Sequence, residues 1–407
     1  MDDRVVILGA GHAGVQLAAS LREAGHRGPL TLVSQESALP YQRPPLSKDL
    51  AGAGTEPLAL RPSDFYAERD IVLASGGRAV SVDRDARTVG LSDGTVLAYD
   101  RLVFATGARN RPLPCEGGEL PGVHPLRALE DALSLRRELD AARRVVVIGA
   151  GFIGLEFAAA ARERGLEVTV LEYAERPLGR AASAPLSSWF LQAHRANGID
   201  LRCNEGVRRI RRSEGGLEVD SDARSYRADL VVYGIGVQPN SELAEDAGLA
   251  CENGILVDER LQTCDPRIFA IGDCANFPLA TSPQRVRLES VQNANDQART
   301  LAHTLTGTPQ AYAELPWFWS IQGAHRLQIA GLSAPEDEPV LLGAPDSGKF
   351  SVALFREGLL VAVESVNKPA DHIAARKLLA SGAPVTAAMV QASASLKDLL
   401  RNAPIPV

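Results

Sequence analysis

The chain has 407 residues, 45% hydrophobic and 23% charged, with a formal net charge of −7 and a pI near 5.6. At roughly 150 residues per domain that length predicts two or three domains, with neither the charge excess of a disordered chain nor the apolar content of a membrane protein. The negative balance excludes a global field for nucleic acid or anionic lipid, so an acidic partner would need a local basic patch, and no apolar run reaches the roughly 18 residues of a membrane span.

The elements follow in order. A strand over residues 4–8 begins almost at the initiator Met, which leaves no room for a signal peptide and predicts a cytoplasmic address. It runs into the turn Gly9-Ala10-Gly11-His12-Ala13-Gly14, an alanine-rich helix to about Glu23 and a strand over residues 30–33. Residues 99–107 close this unit with an apolar run ending Ala105-Thr106-Gly107. The plan then repeats: a strand over residues 145–148, the turn Gly149-Ala150-Gly151-Phe152-Ile153-Gly154, a helix to about Arg164, a strand over residues 168–171, and a closing run over residues 228–236 that ends at Gly236. Each copy is a βαβ unit. A stretch with its own strands follows to Phe269-Ala270-Ile271-Gly272-Asp273, and from Trp317 alternating apolar residues predict antiparallel strands, then a helix after Pro369.

The expected fold class is therefore α/β, with two Rossmann-like dinucleotide-binding domains and a C-terminal α+β domain. The predicted boundaries are 1–111 with 239–315 for the first, 112–238 for the second and 316–407 for the third.

A lone GxGxxG is weak, but both copies here follow a strand and open a helix. Glycines there permit the tight turn and let the backbone approach a pyrophosphate at the positive helix end. In the second copy the next strand ends at Glu172, 23 residues after Gly149, where an acid would bond a ribose 2′-hydroxyl and repel a 2′-phosphate. That spacing predicts NADH, while Arg176 four residues on keeps NADPH open. In the first copy Glu36 is the nearest acid for a second ribose, or else a solvated loop charge. Two dinucleotide sites in one chain imply hydride passing from one nucleotide to the other, with flavin the usual resident acceptor. The five cysteines, Cys115, Cys203, Cys251, Cys264 and Cys274, show no CxxC spacing and predict no metal site; all five read as small buried hydrophobes.

The order GAGHAG, Pro44-Pro45-Leu46-Ser47-Lys48, Ala105-Thr106-Gly107, GAGFIGLE, Pro239-Asn240 and Ala270-Ile271-Gly272-Asp273 resembles the two-dinucleotide flavoproteins of the glutathione reductase superfamily. With Arg287-Leu288-Glu289-Ser290-Val291-Gln292-Asn293-Ala294 and Trp317-Phe318-Trp319-Ser320, the whole chain is similar to the NADH-dependent ferredoxin reductases of oxygenase systems. The resemblance implies FAD on the first fingerprint (Gly9, Gly11, His12, Ala13, Gly14) and NADH on the second (Gly149, Gly151, Phe152, Ile153, Gly154, with Glu172 and Gly236). It puts Lys48 beside flavin N5, with Glu156 as its carboxylate partner; a helix-dipole acid is the alternative for Glu156. Asp273, after Gly272, would bond a ribityl hydroxyl or cap a helix, or both. Ala105, Thr106, Gly107, Ser290 and Val291 complete the implied FAD contacts. Arg43 and Arg109 would touch FAD or be solvated, Pro239 and Asn240 would make a turn, and Glu289 would approach the cofactor edge or form a structural ion pair. Trp319 would lie at the flavin edge where electrons leave, unless the aromatic cluster is ordinary packing. The family commonly carries an acid after Trp-Phe-Trp-Ser, where this chain has Ile321.

The implied activity is that of an FAD-dependent NADH:ferredoxin oxidoreductase, monomer or homodimer, passing single electrons to a small acidic [2Fe-2S] ferredoxin; no redox cysteine precedes residue 115 to offer a dithiol route. A basic dock would draw on Arg285, Arg287 and Arg326 around Trp319. The alternatives are an NADH oxidase or quinone reductase, and a redox-sensing protein like apoptosis-inducing factor. The nucleotide preference is directly testable: single-turnover reduction by NADH should outpace that by NADPH, and equal efficiency would remove the role of Glu172.

Overall fold

Val5–Leu8, four apolar residues all buried, form the centre of a five-stranded parallel sheet. The strand order is Ile268–Ala270, Arg101–Phe104, Val5–Leu8, Leu30–Ser34, Ile71–Ser75. Central strands buried on both faces need unbroken apolar runs, which is what these segments supply. Helix His12–Glu23 lies against helix Val291–Leu305, and Ala18 and Ala298, one on each, are fully buried in the same core. In the computed structural model, residues 3–48, 58–280, 284–393 and 395–402 are described.

A second five-stranded parallel sheet repeats the plan in the order Asp200–Arg202, Glu167–Leu171, Arg144–Ile148, Leu230–Tyr233, Val123–Pro125. The duplication goes further than the glycine turns suggested. Each copy also carries a three-stranded antiparallel meander at the same place in its chain order, Ala79–Asp83 with Thr88–Leu91 and Val96–Ala98 in the first, Val207–Ser213 with Gly216–Ser221 and Ser225–Ala228 in the second. The copies differ at the fifth strand: Ile268–Ala270 comes from far downstream, whereas Val123–Pro125 precedes its own repeat.

The C-terminal strands form one antiparallel sheet ordered Trp317–Gln322, His325–Gly331, Leu359–Val366, Lys349–Arg356, Glu338–Ala344. Helix Pro369–Ala380 packs Ala374, Ala375 and Leu378 onto Ala330, Ala353 and Val363.

The chain divides into two compact units. One comprises the described parts of Met1–Gln42, Ala53–Arg109 and Gln238–Glu314; the other comprises those of Arg43–Gly52, Asn110–Val237 and Leu315–Val407. The second and third expected domains thus group together, and they carry Arg43–Gly52 with them. The reason is polar as well as apolar: Arg43 donates to the Arg127 carbonyl, and Trp189 Nε1 donates to the Pro345 carbonyl at 3.0 Å. Among the described residues no helix is long and apolar enough to cross a membrane.

Glu364 is the most unusual group in this second unit. It is fully buried on strand Leu359–Val366 and accepts from the Ser183 backbone N–H at 2.7 Å and the Ser183 hydroxyl at 2.5 Å, at the start of helix Ala184–Ala196. Burial pushes its carboxyl up to about 7, against which the Ser183 donors and Arg176 pull down. The folded protein therefore keeps a proton that the unfolded chain releases near pH 4.3, so this group's contribution is full below that pH and is lost as pH rises to about 7. The loss is up to about 4 kcal/mol, at about 1.4 kcal/mol per pKa unit. Glu364→Gln, which keeps a neutral acceptor, should flatten the stability profile between pH 4.5 and 7 in denaturant titrations; an unchanged slope would show that Glu364 titrates normally.

Candidate functional site

The first glycine cradle is built by close approach. Gly9 has φ +114°, and a Cβ on it would stand 2.2 Å from the Ala105 carbonyl oxygen; a Cβ on Gly14 would stand 1.9 Å from the Gly9 oxygen. Those two glycines are required by the protein's own packing. Gly11 is not, since a Cβ there would meet nothing within 4 Å. It is also the N-cap of helix His12–Glu23 and makes no side-chain cap bond, with no acid in the first turn, so the helix opens on main-chain donors beside empty space. That arrangement fits a pyrophosphate.

Other expected residues gather around this helix start. Gly272 adopts φ +74°, and a Cβ on it would lie 3.1 Å from Ala13 and 3.8 Å from Ala294. Its N–H donates to Gln297 Oε1, which sets the turn bearing Asp273 between helix His12–Glu23 and helix Val291–Leu305. Ser290 caps the latter through its hydroxyl, ahead of Val291. Thr106 donates to the Asn240 carbonyl at 2.7 Å and Asn240 Nδ2 donates back to the Thr106 carbonyl at 2.8 Å, while the Asn240 N–H reaches the Gly107 carbonyl. Pro239-Asn240 is thus a brace for the Ala105-Thr106-Gly107 turn. Arg109 braces it further, with its guanidinium on Asn240 and Glu242. Glu289 forms an ion pair with Arg287 at 2.7 Å. Glu36 accepts from the Tyr41 hydroxyl at 2.6 Å, which orients the acid at the end of the second strand.

The second cradle repeats the geometry. Gly149 has φ +98°, with its notional Cβ 2.7 Å from the Gly234 oxygen, and Gly154 would clash with Gly149 at 2.1 Å. Gly151 would meet only the Gly234 oxygen at 3.9 Å, and it too begins its helix, Phe152–Glu163, without a side-chain cap. Ile153 packs beside Gly234, and Gly236 turns at φ +109° next to Arg180. Glu172 stands at the end of strand Glu167–Leu171 and accepts from the Ala150 N–H at 2.6 Å and the Ala174 N–H at 2.8 Å, so its carboxylate is aimed at the fingerprint loop. Arg176 spends its guanidinium on the Ala182 and Gly179 carbonyls of its own loop.

Lys48 and Glu156 meet in the second unit, Nζ to Oε2 at 2.7 Å, with the carboxylate 5% exposed. Two serines not anticipated from the sequence join them. Ser47 donates to the same oxygen at 2.6 Å, and Ser320 donates to Oε1 at 2.7 Å, with the Ile321 N–H at 3.3 Å. Repeat distances explain the match. Phe152 packs against Phe318 with ring centres 4.4 Å apart and planes tilted by 39°, and one helical turn (about 6 Å) from Phe152 is Glu156, as two strand residues (about 6.6 Å) from Phe318 is Ser320. The strand's alternation puts Ser320 and Gln322 on the buried face and leaves Trp317, Trp319 and Ile321 on the more open one. Trp319 lies 5.6 Å from Trp317, over which Arg376 is placed at 4.5 Å. Ile321 costs this cluster no hydrogen bond, because the backbone at that position supplies the donor to Glu156. The expected dock changes: the Arg287 side chain is 8% exposed and neutralised by Glu289, so it offers no free cation, and Arg285 donates to the Val257 and Asn276 carbonyls. Arg326 is exposed, across from Ile321.

Comparison with known proteins agrees over the full length. Residues 3–298 match the pyridine nucleotide-disulphide oxidoreductase family and residues 317–400 match the reductase C-terminal family. Rhodocoxin reductase of Rhodococcus erythropolis is 51% identical over 387 residues, 94% of this chain and 90% of its own. The solved ferredoxin reductase for the CYP199A2 system of Rhodopseudomonas palustris is 45% identical with a TM-score of 0.95, covering 99% of this chain and 100% of its own. The covalent putidaredoxin reductase–putidaredoxin complex gives 40% identity and a TM-score of 0.95, with 99% of each chain covered. Two uncapped glycine cradles, a buried lysine–glutamate pair and these likenesses together make the chain a member of the pyridine nucleotide-disulphide oxidoreductase family, in its branch of FAD-dependent ferredoxin reductases.

Proposed function

We propose that this protein takes hydride from NADH and delivers single electrons to a small acidic [2Fe-2S] ferredoxin that serves an oxygenase. The observation that carries the proposal is the pair of glycine cradles, each opening a helix on a glycine N-cap that has no side chain to fill the space beside it. Bound at the first cradle, FAD supplies hydride acceptance and stepwise electron release. Residues 1–111 with 239–315 hold it, residues 112–238 hold NADH, and residues 316–407 carry the Trp317–Gln322 strand. Gly9, Gly11, His12, Ala13 and Gly14 receive the FAD pyrophosphate, Glu36 its ribose, and Gly272-Asp273 its ribityl chain. Glu172 supports NADH over NADPH because a carboxylate there repels a 2′-phosphate, and Arg176, committed to its own loop, does not offset it. The relatives named above support ferredoxin as the acceptor, and five unpaired thiols suit the reducing cytoplasm as the protein's address.

Lys48 brings an ammonium whose orientation is held by Glu156 and by the Pro44 carbonyl at 2.8 Å. Its field stabilises negative charge arriving at the acceptor. Lys48→Met should slow flavin bleaching by NADH about tenfold or more in stopped flow, the scale of one charge-assisted contact at about 1.5–3 kcal/mol. A rate within twofold of the parent would remove Lys48 from the site.

The acidic partner would meet Arg326 and Arg376 around the Trp317–Trp319 face. Raising salt from about 0.05 to 0.5 M should slow ferredoxin-linked turnover, because exposed charges are screened over that range, and spare reduction of ferricyanide. Equal responses of both rates would sink the charged dock.

A further inference from the structure

Behind Glu156, continuing from Ser320, lies a line of buried polar side chains. His194, on helix Ala184–Ala196, is 3% exposed, and burial pushes its imidazole below the usual range, so the ring is neutral and carries one N–H. Its Nε2 is 2.7 Å from Gln322 Oε1. An amide oxygen only accepts, so the proton sits on Nε2. Gln322, 1% exposed, donates its Nε2 to Ser320 Oγ at 3.2 Å, and Ser320, fully buried, gives its own proton to Glu156 Oε1 at 2.7 Å. All three bonds point one way, and each polarises the next. The line ends on the carboxylate whose other oxygen receives Ser47 and Lys48.

Burying three polar groups costs stability that apolar residues would not, and the neighbouring positions of this face hold aromatics such as Phe318 against Phe152 and Phe190 beside His194. Packing alone therefore does not call for them. We propose that His194, Gln322 and Ser320 form a one-way hydrogen-bond relay that positions the Glu156 carboxylate against Lys48 and sets how far it cancels the ammonium's field. These are positioning residues. The inference rests on the reading of Lys48 and Glu156 as the pair at the reducing site. With the relay intact, Glu156 shares its charge among several donors; with it cut, the carboxylate leans on Lys48 and weakens the field there.

The test uses the FAD-loaded full chain and two readouts, the flavin reduction potential by spectroelectrochemistry and the rate of its reduction by NADH. Gln322→Met and His194→Phe each remove the relay, and both should lower the potential and slow reduction about tenfold, with half-saturation by NADH unchanged. His194→Gln, which restores an N–H near the same place, should recover at least half of each effect. In a Glu156→Gln background Gln322→Met should change neither readout, whereas a merely structural glutamine would still do so. If Gln322→Met and His194→Phe are folded and match the parent in both readouts while Glu156→Gln does not, the relay is wrong and the Lys48–Glu156 reading stands. If Glu156→Gln itself matches the parent, both fall. Should His194→Phe fail to fold, Gln322→Met and its double variant decide alone.

Discussion

A carboxylate that is 5% exposed must be surrounded by donors, and Glu156, on helix Phe152–Glu163, obtains them from two other stretches of chain: Ser47 with Lys48, and Ser320 with Ile321 on strand Trp317–Gln322. An unpaired charge at that depth would cost several kcal/mol, so each donor is held as firmly as the acid that needs it. This is why Arg43–Gly52 groups with the second unit although it follows directly on the first Rossmann repeat. It is also why the C-terminal sheet cannot be regarded as an appendage. Its first strand brings a serine to the acid, and its strand Leu359–Val366 brings a buried glutamate to the start of helix Ala184–Ala196.

The two cradles and the polar cluster divide the work by physical kind. In the cradles the protein contributes main-chain groups and the absence of side chains. Gly9 and Gly14 are forced by contacts within the fold, while Gly11 and Gly151 leave space the protein does not fill. In the cluster it contributes charge, on an element of a different origin. A glycine cradle can be duplicated with its strand, helix and closing strand, as it has been here, because everything it needs lies within one repeat. A buried ion pair cannot, because its partners come from elsewhere.

Surface charge contributes little to this architecture. Arg208, Arg209 and Arg211 of strand Val207–Ser213 are matched by Asp222, Asp220 and Glu218, and exposed pairs of this sort are worth at most about 1 kcal/mol each. Arg326, exposed opposite Ile321, and Arg376 over Trp317 are placed differently, beside the aromatic strand.

The sequence by itself determined the repeated βαβ units and the α/β class, since both rest on short-range periodicity and on glycine motifs whose residues are neighbours in the chain; the pairing of Lys48 with Glu156, 108 residues apart, came from the resemblance. Gly9 to Gly14 shows its purpose within six residues. Only the tertiary structure decided that Ser47 and Ser320 complete the Glu156 shell, that Gln322 and His194 stand behind them, and that Glu364 is buried against Ser183. It also closed Arg287 onto Glu289 and turned Arg109 into a brace for the Gly107 turn. The physical reason is range. A hydroxyl or an amide is as common in loops as in sites, and nothing in its local pattern tells whether a carboxylate more than a hundred residues away will need its proton.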